Sequence, residues 1–107
     1  MIVSLDFGRP PRLDEPDNFR AFKVTAPRGM DRAALTAALG TVGRLHEGGG
    51  TGAGEHAWID EAELRKLSGR AGDKAWNDQA SAMIDYAKRS GWIDPATGAI
   101  RAHIERV

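Results

Sequence analysis

The sequence predicts an α+β domain of three helices, a C-terminal β-hairpin and one additional N-terminal strand. Three observations carry that prediction. Trp76, Ala80, Met83, Ile84 and Ala87 recur at a period of 3.6, one apolar stripe on a helix from Asp73 to Ser90. Asp60-Glu61-Ala62-Glu63 is a capping-box pattern, the start signal of a second helix. Ile100, Ala102 and Ile104 alternate with Arg101, His103 and Glu105 behind the turn signal Asp94-Pro95-Ala96-Thr97-Gly98, as in a hairpin with one wet face.

Length and composition bound what such a domain can be. With 107 residues the chain suits one domain with one modest core. Lys plus Arg and Asp plus Glu number 15 each, so no net field draws the molecule to nucleic acid or an anionic membrane. The absence of cysteine excludes disulfides, thiolate nucleophiles and zinc–thiolate sites. The first residues lack a basic region and a long apolar run, and no segment approaches the ~20 apolar residues that span a bilayer. The expectation is a cytoplasmic protein with no membrane partner.

Taken in order, Ile2 to Phe7 suggests a short edge strand. Gly8 to Asn18 contains Pro10, Pro11 and Pro16, so residues 1–18 are expected to form an extended, mobile arm outside a folded core of 19–107. Phe19 to Thr25 alternates as a strand, and Pro27-Arg28-Gly29 turns the chain. The first helix is expected from Asp31 to Leu45, with Asp31 as N-cap and a buried stripe of Leu35, Ala38, Leu39, Val42 and Leu45. Gly40 and Gly43 each weaken its second half by ~1 kcal/mol relative to Ala. The Gly-rich loop at 47–55 ends any helix. His56 to Ile59 reads as a strand leading to Asp60, and Ser68-Gly69 closes the second helix after about two turns. Asp73 caps the third helix, Lys88 and Arg89 complement its dipole, and Gly91 takes the left-handed position with Trp92 folded back on Ala87.

Helix, short strand, short helix, turn, longer helix, strand, tight turn, strand: over roughly residues 31–107 this order resembles the winged helix-turn-helix superfamily. Trp58-Ile59 stands for the strand before the capped helix. Asp60–Ser68 and Asp73–Ser90 stand for the helix pair, and Gly91–Arg106 for the wing. The resemblance is one of pattern, and no diagnostic motif accompanies it. It implies a third helix placed in the major groove and a wing along the backbone. The contact residues would then be Lys74, Trp76, Asn77, Gln79 and Ser81 near the helix start, Lys88 and Arg89 near its end, and Arg101, His103 and Arg106 on the wing. Against DNA, Asp73, Asp78 and Asp85 share that helix, and a DNA-reading face is usually basic. The expectation is therefore a non-catalytic binding module for another protein or a second copy of itself. A DNA-binding regulator is the alternative, and a small-molecule binder with a tryptophan-lined pocket comes third.

Sharper chemistry finds less support. The glycine run has no lysine and follows a helix, so it reads as a connector rather than a phosphate loop. His46, Glu47, Glu55 and His56 would offer a metal two imidazoles and two carboxylates if the loop doubled back, but nothing in their spacing enforces that. No serine has an evident histidine partner, so no catalytic residue, cofactor or metal is expected. Trp58, Trp76 and Trp92 read as core or half-core, with Trp76 as a partner anchor in the alternative.

Overall fold

The computed structural model describes residues 1–46 and 55–107. It is a mixed α+β fold of three helices and a curled sheet. In chain order the elements are β1 (Ile2–Ser4), β2 (Arg12–Asp14), β3 (Lys23–Ala26), α1 (Arg32–Leu39), β4 (Gly43–Leu45), β5 (Glu55–Ile59), α2 (Glu61–Ser68), α3 (Lys74–Arg89) and β6 (Ile100–Arg106). Among the described residues six strands form one sheet in the order β2-β1-β3-β6-β5-β4. The pairs β1–β3 and β3–β6 are parallel; the other three are antiparallel.

Register and alternation decide which face is buried. Val3, Val24, Ile104, Ala102, Ala57, Ile100 and Ile59 lie on one face, all at or near zero exposure. They join Leu35 and Leu39 of α1, Leu64 of α2 and Trp76, Ala80 and Ala87 of α3 in a single core. The other face carries Lys23, Arg101, His103, Glu105, His56, Trp58 and Arg44 and leaves His103, Glu105 and Arg44 exposed. Strands with one dry and one wet face are what the alternation at 100–105 demands.

The sheet is larger than the expected hairpin and single strand. Residues 91–99 form no wing strand: Ile93 makes one isolated bridge to Ile100, and β6 is a central strand between β3 and β5. Strands on both flanks satisfy its backbone, and its apolar face is buried because the helices pack on that side. The segment expected to run as an arm contributes β2, whose Leu13 pairs with Val3. That pairing makes β1 internal rather than an edge strand. The N-terminal strand, expected over 19–25, pairs only from Lys23 and also lies inside the sheet.

The first helix is shorter than its pattern. It stops at Leu39 because Gly40 adopts φ 55° and turns the chain, its N–H still donating to the Thr36 carbonyl. Val42 stays buried, but Gly43 to Leu45 extends as β4. Gly43 is required there: a Cβ built on it would sit 2.3 Å from the Trp58 carbonyl oxygen of β5. The N-caps are as the sequence predicts, but the capping box at Asp60 is half made, because Glu63 pairs with Lys66 and the Asp60 N–H donates to the Val42 carbonyl. Asp31, Asp60 and Asp73 accept from the N–H groups of Ala34, Glu63 and Trp76. Gly69 closes α2 in the left-handed region at φ 72°.

Candidate functional site

The C-terminus of α3 and the start of β6 shape a cleft bordered by exposed aromatic side chains. Gly91 adopts φ 78°, its N–H donates to the Lys88 carbonyl, and the Trp92 N–H donates to that of Ala87. This double bond pattern is a Schellman motif, and it fixes where Trp92 leaves the helix. The Trp92 carbonyl then accepts from the Arg101 N–H at 2.8 Å. One flank of β6 is taken by β5, with Glu55 to Ile59 opposite Ile104 to Ile100. On the other flank β3 pairs only from His103 onward, and the residues before it bond to the Trp92–Asp94 segment.

A cleft of about 390 Å³ lies at that junction. Met83, Ile84, Tyr86 and Ala87 of α3 form one wall, Phe19, Arg20 and Phe22 another, and Trp92, Ile100, Arg101, His103 and His56 complete it. Tyr86 and Trp92 meet edge to face with ring centroids 6.0 Å apart. They remain 57% and 40% exposed, although Trp76 on the same helix is only 3% exposed. Among the described residues no serine, threonine, aspartate or glutamate lines it.

The residues expected to contact a partner separate into two groups. Those at the start of α3 serve the fold. Trp76 is buried, tilted against Phe19 at 5.9 Å, and its indole N–H donates to the Pro16 carbonyl. The Asn77 amide donates to the carbonyls of Ala71 and Asp73 and accepts from Arg65. Ser81 also accepts from Arg65, which ties α2 to α3. Lys74 pairs with Asp78 at 2.8 Å. The anchor reading of Trp76 is thereby corrected. Gln79, Lys88 and Arg89 are exposed on α3. Only Arg101 and His103 of the expected set line the cleft, and Arg106 is drawn away to Glu55.

The four groups weighed for a metal are divided. The β4–β5 pairing does double the chain back, and the His46 N–H donates to the His56 carbonyl. Their rings lie 6.3 Å apart, with His56 a further 5.5 Å from His103. Glu55 faces the opposite side of the sheet and holds Arg106, while Glu47 and the glycine run at 48–54 lie outside the described residues. Among the described residues no group of three His, Asp or Glu could hold a metal ion, and no helix is long and apolar enough to cross a membrane.

Phe19, Arg20, Phe22 and Tyr86 are cleft residues outside the expected contact set, and His56 entered the sequence reading only as a strand residue and a candidate metal ligand. Tyr86 carried a signal: it is an aromatic side chain off the Trp76–Ala87 stripe, on the polar side of its helix. Comparison with family models, curated proteins and solved structures finds no match to this chain.

Proposed function

We propose that the chain is a non-catalytic binding module and that the cleft beside Trp92 is its binding site. One observation carries this reading. Tyr86 and Trp92 stand partly in water over an apolar cleft, while the other large apolar residues of α3 are buried or half-buried. Concave sites of roughly 300–1,000 Å³ with apolar walls and a few polar groups are the usual form of ligand pockets. Among the described residues the lining includes no serine, threonine, aspartate or glutamate, and its walls are mainly apolar, which favours binding over catalysis.

Other readings draw less from the geometry. Kinship with winged helix-turn-helix proteins has the α2–α3 pair in its favour, but the expected wing is reduced to one bridge and two hydrogen bonds between 92–94 and 99–101. Reading of DNA through the start of α3 would use Lys74, Asn77, Gln79 and Ser81, of which Asn77 and Ser81 are held by Arg65 and Lys74 is paired with Asp78, leaving Gln79 exposed. A protein partner or second copy would use the same cleft by inserting one side chain, since the cleft holds little more.

Nile red, a neutral apolar dye, tests the cleft directly. Its emission should rise with one saturable site per native chain, and Trp92→Ala and Ile84→Glu should each abolish the rise. A folded protein indifferent to the dye, or variants that bind it unchanged, would remove this reading. Sedimentation at two concentrations decides self-association: a monomer at both rules out the second copy.

A further inference from the structure

We propose that the cleft takes a small organic anion with a planar aromatic body, an inference that rests on the cleft being the binding site. Two features specify the two halves of such a ligand.

The anion is specified by uncompensated charge. Arg20 and Arg101 line the cleft, and among the described residues no carboxylate does. Among the described residues neither arginine has a carboxylate within ion-pair distance, whereas Lys23 of β3, Arg44 of β4 and Arg106 at the end of β6 each hold one. Arg101 is half-buried, so its charge is less screened than a surface arginine's. A carboxylate or phosphate meets guanidinium with charge-assisted hydrogen bonds, the strongest polar contacts such a site can offer. His56 and His103 add imidazole edges on the same wall.

The aromatic body is specified by the remaining walls. Phe19, Phe22, Tyr86 and Trp92 present four rings to a space of about 390 Å³, enough for a one- or two-ring ligand. The hydrogen bonds at both peptide groups of Trp92 fix its backbone before anything binds, which lowers the ordering cost of binding.

The same geometry disfavours larger occupants. An extended peptide usually adds to a free strand edge. Here both flanks of β6 are already occupied, by β5 on one side and by β3 with Trp92–Ile93 on the other. A polynucleotide would need a basic molecule, and this chain has zero net charge.

Three matched probes test the ligand class on the full chain: naphthylacetate, its neutral amide, and naphthylethylamine. NMR titration of the backbone amides and the Trp92 indole N–H reads where each binds and how tightly. The anion should bind at least about tenfold more tightly than the amide, and the margin should shrink as salt is raised. Arg101→Gln should bring the anion down to the amide's affinity and leave the amide unaffected. The exposed Arg20→Gln should lower the margin part of the way, and it serves if the first variant loses its fold. Equal binding of anion and amide would overturn the anion inference and leave the cleft standing. Tighter binding of the amine would overturn it too. If no probe moves the Trp92 indole the inference falls, and a negative Nile red titration would then remove the cleft reading as well.

Discussion

Arg106 closes one end of the sheet, and replacing it by Met should expose how much that closure contributes. Its guanidinium donates from Nε and Nη2 to the two oxygens of Glu55 at 2.8 and 3.0 Å. From Nη1 it donates to the carbonyls of Pro27 and Met30 at 2.8 and 2.6 Å. One side chain therefore joins the end of β6, the start of β5 and the turn into α1. Methionine keeps the aliphatic bulk and removes all four bonds. The paired side chains are 25% and 38% exposed, so screening holds the ion pair to about 0.5–1 kcal/mol. Each carbonyl bond adds about 0.5–1 kcal/mol, for a total loss of about 2 kcal/mol. In a domain of this size that lowers the melting temperature by on the order of 8 °C. Urea unfolding followed by tryptophan fluorescence measures it, with the denaturant slope unchanged. The pH dependence gives a second check. The hydrogen bond from Arg106 holds the Glu55 carboxyl below its ordinary value, with the arginine's charge adding to the effect. A depressed folded pKa adds stability above the unfolded pKa, and that stability is lost as pH falls through the folded value. The gap between wild type and Arg106→Met should stay constant at neutral pH and narrow below the ordinary glutamate range. A loss under ~0.5 kcal/mol, or a gap that acid leaves untouched, would refute the reasoning.

Three further substitutions test other joints. Gly43→Ala would put its Cβ 2.3 Å from the Trp58 carbonyl oxygen and 3.3 Å from the Ile59 Cα. Both obstacles are backbone, so β4 must shift at a cost of about 1–3 kcal/mol in urea unfolding. Unchanged stability would count against the β4–β5 register. Asp60→Ala removes the acceptor for the Glu63 N–H and should cost about 1 kcal/mol, with Asn restoring most of it. Trp76→Ala should cost about 3–5 kcal/mol, as expected for a buried aromatic. Trp92→Ala should cost under ~1 kcal/mol. Melting curves that rank them the other way would reverse the division of α3 argued above.

What the sequence made legible was local, and what it hid was pairing. Each cap was readable because it needs one residue type at one offset: Asp31, Asp60 and Asp73 each accept from the third residue on. The end of α3 was readable for the same reason, Gly91 and Trp92 forming the predicted closure. The alternation at 100–105 showed a strand with one wet face. It held no information on how many neighbours that strand has, because Ile100, Ala102 and Ile104 need only cover on one side. Val3 and Leu13 likewise find partners far along the chain or across a proline-rich turn, where no local pattern reports the register. Gly40 shows the reverse case. The stripe from Leu35 to Leu45 is consistent with one helix, yet a glycine able to turn at positive φ divides it into helix and strand. For the cleft, Arg101 and His103 were on the expected contact list, but Phe19, Arg20 and Phe22 meet them only through the sheet.

The division of labour along α3 follows from which end the fold uses. At its start, Trp76, Asn77 and Ser81 bind α3 to Pro16, to α2 and to the preceding turn, so a side chain there is held by the domain itself. At its end, Ala87 is buried and small, and the chain departs immediately through Gly91. A small residue at the last buried position leaves room that the neighbouring large side chains Met83, Ile84 and Tyr86 border without filling. The backbone of Trp92 is fixed there, its N–H bound to Ala87 and its carbonyl to Arg101. Those bonds set where the indole begins, at the mouth of the cleft beside Tyr86. The exposed aromatic pair, set apart from a helix start whose Trp76 and Asn77 are engaged by the domain itself, is why the proposed binding site lies at this end of α3.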